Sequence, residues 1–320
     1  MRINTFFFLL TFLCTQFVHA DDRPVIRLGV MAGGTLAWEL AAMQKQGLVD
    51  TANFKLETMM LANQQAGKIA LQGGSADIIV ADWFWVANMR NEGAEYSFYP
   101  FSSSVGGLIV PANSPINSLA DLKDKKLGVA GGELDKNWLL LQTLATQQGM
   151  PLQNNLMPVF AAPPLLNQQL TENRIDAVLT YWQFAVRLEA NGYRQLMSGE
   201  DIIRELGVSE SVPSLGYVFK QSWATQNSQT LRDFINTAAN ARNNLCSNQQ
   251  EWDKISSLTE AGDEKTSQLL KQRYCQGHLN HWQPANLDAT AYLYKLLMQA
   301  NSKFNGKSVN LPEGTFWSID

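Results

Sequence analysis

The chain has 320 residues, of which 45% are hydrophobic and 17% are charged, and its formal net charge is −4. This composition is typical of a folded globular protein and excludes a largely disordered chain. The mildly acidic balance also argues against nucleic-acid binding, so we expect no nucleic-acid partner.

The first twenty residues predict a secretory signal. Arg2 precedes an apolar run at residues 6–13, which is shorter than the ~20 residues that span a bilayer. Val18 and Ala20 then stand at the positions that a signal peptidase reads, just before Asp21. We therefore expect residues 1–20 to be cleaved, leaving a net charge of −4 minus the one cation of Arg2, which is −5. The mature protein is then expected in the periplasm.

Short β-rich runs alternate with amphipathic stretches along most of the chain, which predicts an α/β fold with a mainly parallel sheet. The predicted strands, in chain order, are 25–30, 54–60, 76–80, 126–130, 156–160 and 175–179. The predicted helices are 35–46, 62–72, one from 83, then 135–148, 164–172 and 182–191. From about 228 to 300 the pattern is almost entirely helical.

Two stretches rich in proline, serine or glycine, at 111–124 and 209–216, indicate crossings between two lobes. They predict a discontinuous lobe 1, at 24–110 and 215–320, and an inserted lobe 2 at 111–214. Ligands of open α/β sheets lie at the carboxyl ends of the strands. The cleft between the lobes is therefore the expected binding site.

Cys246 and Cys275 are the two cysteines beyond the signal. An even pair in an oxidising compartment predicts a disulfide. The alternative is a zinc site, because Cys275, His278 and His281 follow at intervals of three residues. No fourth ligand is evident in the sequence, so we expect the disulfide and no metal.

Enzyme signatures are missing from the sequence, and we expect neither catalysis nor a cofactor. The segment 305–308 reads like the end of a phosphate loop. The motif requires a glycine five positions before Gly306, but that residue is Asn301. No nucleophile elbow or dinucleotide fingerprint occurs, and two clustered histidines make a Ser-His-Asp triad improbable.

Three segments resemble bacterial solute-binding proteins of ABC importers: 73–78, 108–129 and 173–194. Their order is most similar to the nitrate/sulfonate/taurine (NitT/TauT) group, which includes binders of thiamine-precursor pyrimidines. The resemblance covers most of residues 24–245. It implies a two-lobed (type II) periplasmic-binding-protein fold, an importer permease as partner and solute capture by hinge closure. A related enzyme that makes the thiamine pyrimidine uses a cysteine-rich motif, which this chain lacks.

Four loops are expected to meet at the cleft: 33–38, 81–85, 131–138 and 180–183. All four contain tryptophan, whose ring faces can hold a flat ring or an ammonium group. Two of them contain acids, for which helix capping is the alternative role. The predicted ligand-binding residues are Thr35, Trp38, Asp82, Trp83, Glu133, Asp135, Trp138, Tyr181 and Trp182.

These residue types predict a neutral or cationic solute with a planar or apolar body. Carboxylates on the helix N-termini disfavour a sulfonate or nitrate, because those anions need the same amides. Two other functions remain open from sequence. A periplasmic hydrolase would use two of Asp82, Glu133 and Asp135 as general acid and base. A ligand-presenting protein would serve a membrane sensor instead of an importer. We expect a monomer in either case.

Overall fold

The structure, a computed structural model, describes residues 21–152, 156–279 and 282–318, so the predicted signal at 1–20 and His281 lie outside the described residues. The strands are Val25–Met31 (β1), Lys55–Leu61 (β2), Ile79–Ala81 (β3), Tyr96–Ser102 (β4), Gly107–Val110 (β5), Lys126–Ala130 (β6), Met157–Ala161 (β7), Ala177–Thr180 (β8), Arg194–Ser198 (β9) and Leu215–Lys220 (β10). The helices are Thr35–Lys45 (α1), Gln64–Gln72 (α2), Trp83–Asn91 (α3), Lys136–Gln147 (α4), Pro163–Thr171 (α5), Trp182–Ala190 (α6), Gly199–Glu205 (α7), Gln221–Gln226 (α8), Ser228–Ser247 (α9), Gln249–Ile255 (α10), Glu264–Gln276 (α11) and Pro284–Ala300 (α12).

The strands form two groups with the same internal order. In lobe 1, β2 pairs with β1 in parallel, a parallel bridge between Leu28 and Ile78 leads to β3, and β10 pairs antiparallel with both β3 and β4. In lobe 2, the order β7-β6-β8-β5-β9 repeats this arrangement, with β5 as the antiparallel strand. The structure thus has the predicted two-lobed α/β fold.

Each antiparallel strand reaches its sheet through a chain crossing. The first crossing, residues 103–106, joins β4 to β5, and the second leads from α7 to β10. The amide of Ser214 donates to the carbonyl of Ser102 at 2.8 Å, so the two crossings lie side by side. Gly106 is required here, because a Cβ atom would lie 2.1 Å from the carbonyl oxygen of Thr180.

The crossing at 103–106 precedes the predicted stretch 111–124, because β5 already belongs to the sheet of lobe 2. The second crossing agrees with the predicted stretch 209–216. The complete lobe boundaries, at 24–110, 111–214 and 215–320, stay predictions. Most of the predicted elements lie within two residues of their predicted bounds. Strands β4, β5, β9 and β10 were not predicted, because their sequences lack a clear alternating pattern.

A disulfide joins Cys246 on α9 to Cys275 on α11, with 2.05 Å between the sulfur atoms. The sulfur of Cys275 is therefore committed to the bond, which removes the one thiolate of the zinc alternative. His278 lies beside the bridge, with Nδ1 3.7 Å from the sulfur of Cys246. Among the described residues, no group of three or more His, Cys, Asp or Glu could hold a metal.

A buried ionic cluster ties α1, α9 and α11 to β10. Glu39 and Arg242 form an ion pair at 3.1 Å in which both side chains are almost fully buried. Tyr217 donates to Glu39 at 2.8 Å and accepts from Arg242 at 2.7 Å, while Tyr274 donates to the other carboxylate oxygen at 3.3 Å. These hydrogen bonds compensate the cost of removing two charges from water.

Across the described residues, no helix combines the length and the apolar character that crossing a bilayer requires.

We predict that Arg242→Leu destabilises the fold by about 3–5 kcal/mol, because it leaves Glu39 as a buried charge without a cation. Urea unfolding at neutral pH measures the change. Arg204→Leu is the matched control, since Arg204 is exposed and its pair with Asp201 is at the surface; its cost should stay below about 1 kcal/mol. Equal losses in both variants would contradict the prediction.

Candidate functional site

A central cavity lies between the two lobes, and both lobes contribute to its walls; together with the adjoining space open to solvent it measures about 880 Å³. Its lining residues are Gly29, Met31, Gly34, Thr35, Leu36, Leu61, Asn63, Gln64, Gly67, Val80, Asp82, Ser104, Val105, Gly106, Asp135, Lys136, Asn137, Tyr181, Trp182, Gln183, Ser214 and Leu215. An outer opening, which we call the mouth, measures about 1650 Å³ with its adjoining solvent space and shares Met31, Asn63, Gln64, Asp82, Asp135 and Tyr181 with the central cavity.

The loop between β1 and α1 forms one wall. Gly33 has a φ of +70°, a conformation that favours glycine. Thr35, predicted to contact ligand, is buried and lines the cavity. Thr35 is the first residue of α1 and does not cap it: the cap position is Gly34, which makes no side-chain capping bond.

Asp82 and Asp135 both line the central cavity, one from each lobe, and both cap a helix. Asp82 accepts from the amide of Trp85 at 2.9 Å, at the N-terminus of α3. Asp135 accepts from the amide of Asn137 at 2.9 Å, at the N-terminus of α4. The two roles that the sequence offers for these acids, capping and facing the cleft, therefore coexist.

Asp135 has a perturbed titration. Burial, together with the nearby charge of Asp82, raises its pKa to about 6. The hydroxyl of Tyr181 donates to its second carboxylate oxygen at 3.2 Å. Burial, followed by the charge of Asp135, raises the pKa of Tyr181 well above 10, so this hydroxyl keeps its proton. A second negative charge is thus costly in this cavity unless a cation accompanies it.

Lys136 supplies the cation of the central cavity. Its ammonium is buried, donates to the hydroxyl of Ser214 at 2.9 Å and lies 5.9 Å from the ring centre of Trp83. Burial lowers the pKa of Lys136, while Asp82 and Asp135 oppose that shift. Because Ser214 belongs to the second crossing, Lys136 connects α4 to the hinge region as well as to the cavity.

Three of the four predicted tryptophans at the cleft pack in the core. Trp38 is fully buried among Trp182, Trp252 and Tyr274, and its indole donates to the carbonyl of Leu258 at 3.0 Å. Trp83 is also fully buried and donates to the carbonyl of Pro213 at 2.7 Å. Trp138 packs edge-on against Phe160. The prediction that these three rings line the cavity is wrong, because α1, α3 and α4 turn those positions towards the core.

Trp182 is different, because it lines the central cavity while the rest of its ring packs against Trp38. Glu133 lies away from the cavity, exposed, in an ion pair with Lys303. Sequence reasoning placed it in a cleft loop, but the loop turns its side chain outwards. Whether the remaining predicted residues, Thr35, Asp82, Asp135, Tyr181 and Trp182, contact a solute stays a prediction.

Sequence reasoning missed several polar lining residues: Asn63, Gln64, Ser104, Asn137, Gln183 and Ser214. Asn63 caps α2 through its side chain, a local signal that could have found it. Ser104 and Ser214 belong to the crossings, whose meeting at the cavity depends on non-local strand pairing. Their sequence context alone gives no such indication.

Residues 97–252, just under half of the chain, match the family model described as NMT1/THI5 like. The matched region includes two of the three segments on which the sequence resemblance rests, and it confirms that resemblance. A comparison with curated protein sequences finds no match.

Solved structures of low sequence identity share the fold. A protein from Bordetella bronchiseptica RB50 superimposes with a TM-score of 0.75 at 15% identity, covering 93% of this chain and 95% of that one. The alkanesulfonate-binding protein SsuA from Xanthomonas axonopodis pv. citri, bound to MOPS, gives 0.69 at 16% identity, covering 92% and 98%. The periplasmic aliphatic sulphonate-binding protein SsuA from Escherichia coli gives 0.66 at 17% identity, covering 86% and 90%. The fold is therefore that of periplasmic binding proteins.

We predict that stability depends on the protonation of Asp135. Its folded-state pKa, about 6, lies above the ordinary value of 3.8, so its contribution is fully present below about pH 3.8 and is lost as the pH rises through 6. The difference corresponds to at most about 3 kcal/mol. Asp135→Asn keeps a capping oxygen and should lack this component of the pH dependence.

Urea unfolding of wild type and Asp135→Asn between about pH 4 and pH 7 measures this difference. The groups that act on Asp135 are Asp82 before α3, Lys136 on α4 and Lys68 on α2, and Tyr181 before α6; all four are retained in the variant. Parallel stability curves for the two proteins would contradict the prediction.

Proposed function

We propose that this chain, with its periplasmic-binding-protein fold and NMT1/THI5-like segment, is the extracytoplasmic solute-binding component of an ABC-type importer. The observation that carries the proposal is the central cavity, which both lobes line and two adjacent crossings border. A small organic solute binds there and is delivered to an importer permease. The protein is monomeric and works in the periplasm after removal of its signal.

Capture requires the lobes to close by rotation at the crossings, without chemistry. Polar groups of both lobes then surround the solute: Asp82 and Thr35 from lobe 1, and Asp135, Tyr181 and Trp182 from lobe 2. Such a site gains affinity only when the lobes are together, which couples binding to closure.

The solute class we favour is neutral or cationic, with a planar or apolar body such as a pyrimidine or an amine. Asp82 and Asp135 place two carboxyl groups in one cavity against one buried ammonium, that of Lys136. Burial and, after it, the charge of Asp82 raise the pKa of Asp135, and a cationic group between the carboxylates would offset both effects. The ring of Trp182 offers an apolar surface for the body of the solute.

The SsuA proteins of similar fold bind sulfonates, as their names state. A sulfonate binds well at helix N-termini whose amides are free. In this chain the N-termini of α3 and α4 already hold carboxylates. An anionic solute would have to overcome both charges, and we therefore place sulfonate and nitrate behind cationic and neutral solutes.

The hydrolase alternative retains one supporting observation, since Asp135 has a raised pKa beside Asp82. Both carboxyl groups are committed to helix caps, and Glu133 lies outside the cavity. Binding without turnover is the function that these contacts favour. Neighbouring permease and ATPase genes would distinguish an importer from a sensor partner.

We predict that titration calorimetry detects binding of an aminopyrimidine or an aromatic amine in preference to taurine, an alkanesulfonate and nitrate. Small-angle scattering should show a compact monomer that contracts with the bound solute, and the solute should be recovered unchanged. Micromolar binding of taurine, an alkanesulfonate or nitrate, with no response to the aminopyrimidine or the amine, would refute the charge argument. Consumption of the solute would favour the hydrolase.

We predict that Trp182→Ala weakens the solute that binds by roughly 1–3 kcal/mol, by analogy with aromatic stacking of bases. Calorimetry measures the change in affinity. Trp223→Ala is the matched control, because Trp223 of α8 packs on Phe219 of β10 and does not line the cavity. An unchanged affinity in Trp182→Ala would mean that this ring serves the core alone.

A further inference from the structure

Helix α6 has two packed faces that belong to different lobes. Ala185 and Leu188 lie in the core of lobe 2, with Val178 of β8. Trp182 and Val186, four residues apart and thus on one side of the helix, lie in the core of lobe 1. The helix that carries part of the cavity wall is therefore shared between the lobes.

Arg187 makes the principal polar contact from α6 to lobe 1. Its guanidinium donates to the carbonyl oxygen of Thr259 through Nε at 3.1 Å and Nη2 at 2.6 Å. Its Nη1 lies 3.4 Å from a carboxylate oxygen of Glu260, and the group lies 4.9 Å from the ring centre of Phe184. The side chain is only 12% exposed. Such charge-assisted bonds are among the stronger ones in proteins.

The position of Thr259 strengthens this contact. Thr259 is the last residue of a short 3-10 helix, Ser256–Thr259, and the chain reverses at Glu260, where φ is +51°. Carbonyl groups at the end of a helical segment lack partners within it, and they favour a cation. Burial lowers the pKa of Arg187, and the charge of Glu260 opposes that shift.

Two weaker contacts accompany it. Glu189 pairs with Arg273 of α11 at 3.1 Å, where Arg273 is partly exposed. Gln183 donates to the carbonyl of Gly33 at 3.4 Å. Arg187 is thus the most buried and most fully bonded charged group that crosses from α6 to lobe 1.

We propose that Arg187 is a positioning residue that holds α6 against lobe 1 and so places Tyr181 and Trp182 at the central cavity. It acts through Thr259 and Glu260 and need not touch the solute. Its role in capture rests on the proposed function, whereas its effect on the lobe arrangement does not.

The test uses the full mature chain without any solute. Arg187→Gln removes the charge and the paired donors, and should raise the ratio of open to closed lobes roughly tenfold to hundredfold, the range expected for hydrogen bonds to a charged group. Hydrogen exchange should accelerate at residues 182–190 and 257–261, and small-angle scattering should give a larger radius of gyration. Exchange in β6, β8 and α9 should stay as in wild type, which a general loss of structure would not allow.

Arg187→Lys keeps the charge and should restore part of the protection. Arg174→Gln is the matched control, because Arg174 is exposed and pairs with Glu172 within lobe 2. Glu260→Gln, at a position exposed enough to tolerate the change, should give a smaller effect in the same two segments.

Unchanged exchange and radius of gyration in Arg187→Gln, or acceleration spread evenly over lobe 2, would overturn the proposal. Because no solute enters the measurement, that result would leave the proposed binding function standing. Conversely, a failure to find any solute would leave this experiment decisive for Arg187.

Discussion

The constraint on which the structure depends is the double crossing of the chain between its two sheets. Among the strands that the structure describes, each lobe has four that run parallel to one another and one antiparallel strand, β10 or β5, that enters by a crossing. Neither sheet is complete without this strand, and the two adjacent crossings that deliver these strands join the lobes. The ends of the parallel strands, where helices begin, face each other across the crossings, and this arrangement places the cavity where it is.

The electrostatics of the cavity follow from that geometry. Helices α3 and α4 both start at the cleft, and both are capped by an aspartate. A carboxylate is the side chain that a helix N-terminus favours, so each cap is stabilising for its own helix. Bringing the helices together buries Asp135 and sets it near the charge of Asp82, and both effects, burial first, raise the pKa of Asp135. The residues that stabilise these two helices are therefore also those on which the proposed solute preference rests, and the buried ammonium of Lys136 only partly offsets the negative charge.

The same convergence distributes the aromatic residues. Trp38 and Trp182 meet edge-on at 5.9 Å, where α1 of lobe 1 approaches α6 of lobe 2. Only Trp182 keeps part of its surface at the cavity. Arg187 then extends the contact of α6 to Thr259, so that one helix carries apolar, aromatic and ionic links between the lobes. The position of α6 relative to lobe 1 is thus set by these direct contacts as well as by the two crossings.

The sequence by itself determined what local physics decides. The alternation of strands and helices and the caps Asp82 and Asp135 could be predicted, because periodicity and capping depend on a few neighbouring residues. The cysteine pair could be predicted from the cysteine count and the expected oxidising compartment. The tertiary structure alone decided which way each side chain points. Trp38, Trp83 and Trp138 lie in loops or first turns that the sequence places at the cleft, yet they pack inwards. Burying a large ring against neighbouring helices is more favourable than leaving it at the cavity wall. Glu133 turns to solvent for the opposite reason, since a charge without a buried partner is cheaper in water. Lys136 and Ser214 come together only through pairing of β10 with strands more than a hundred residues earlier, and no local pattern encodes a contact of that range.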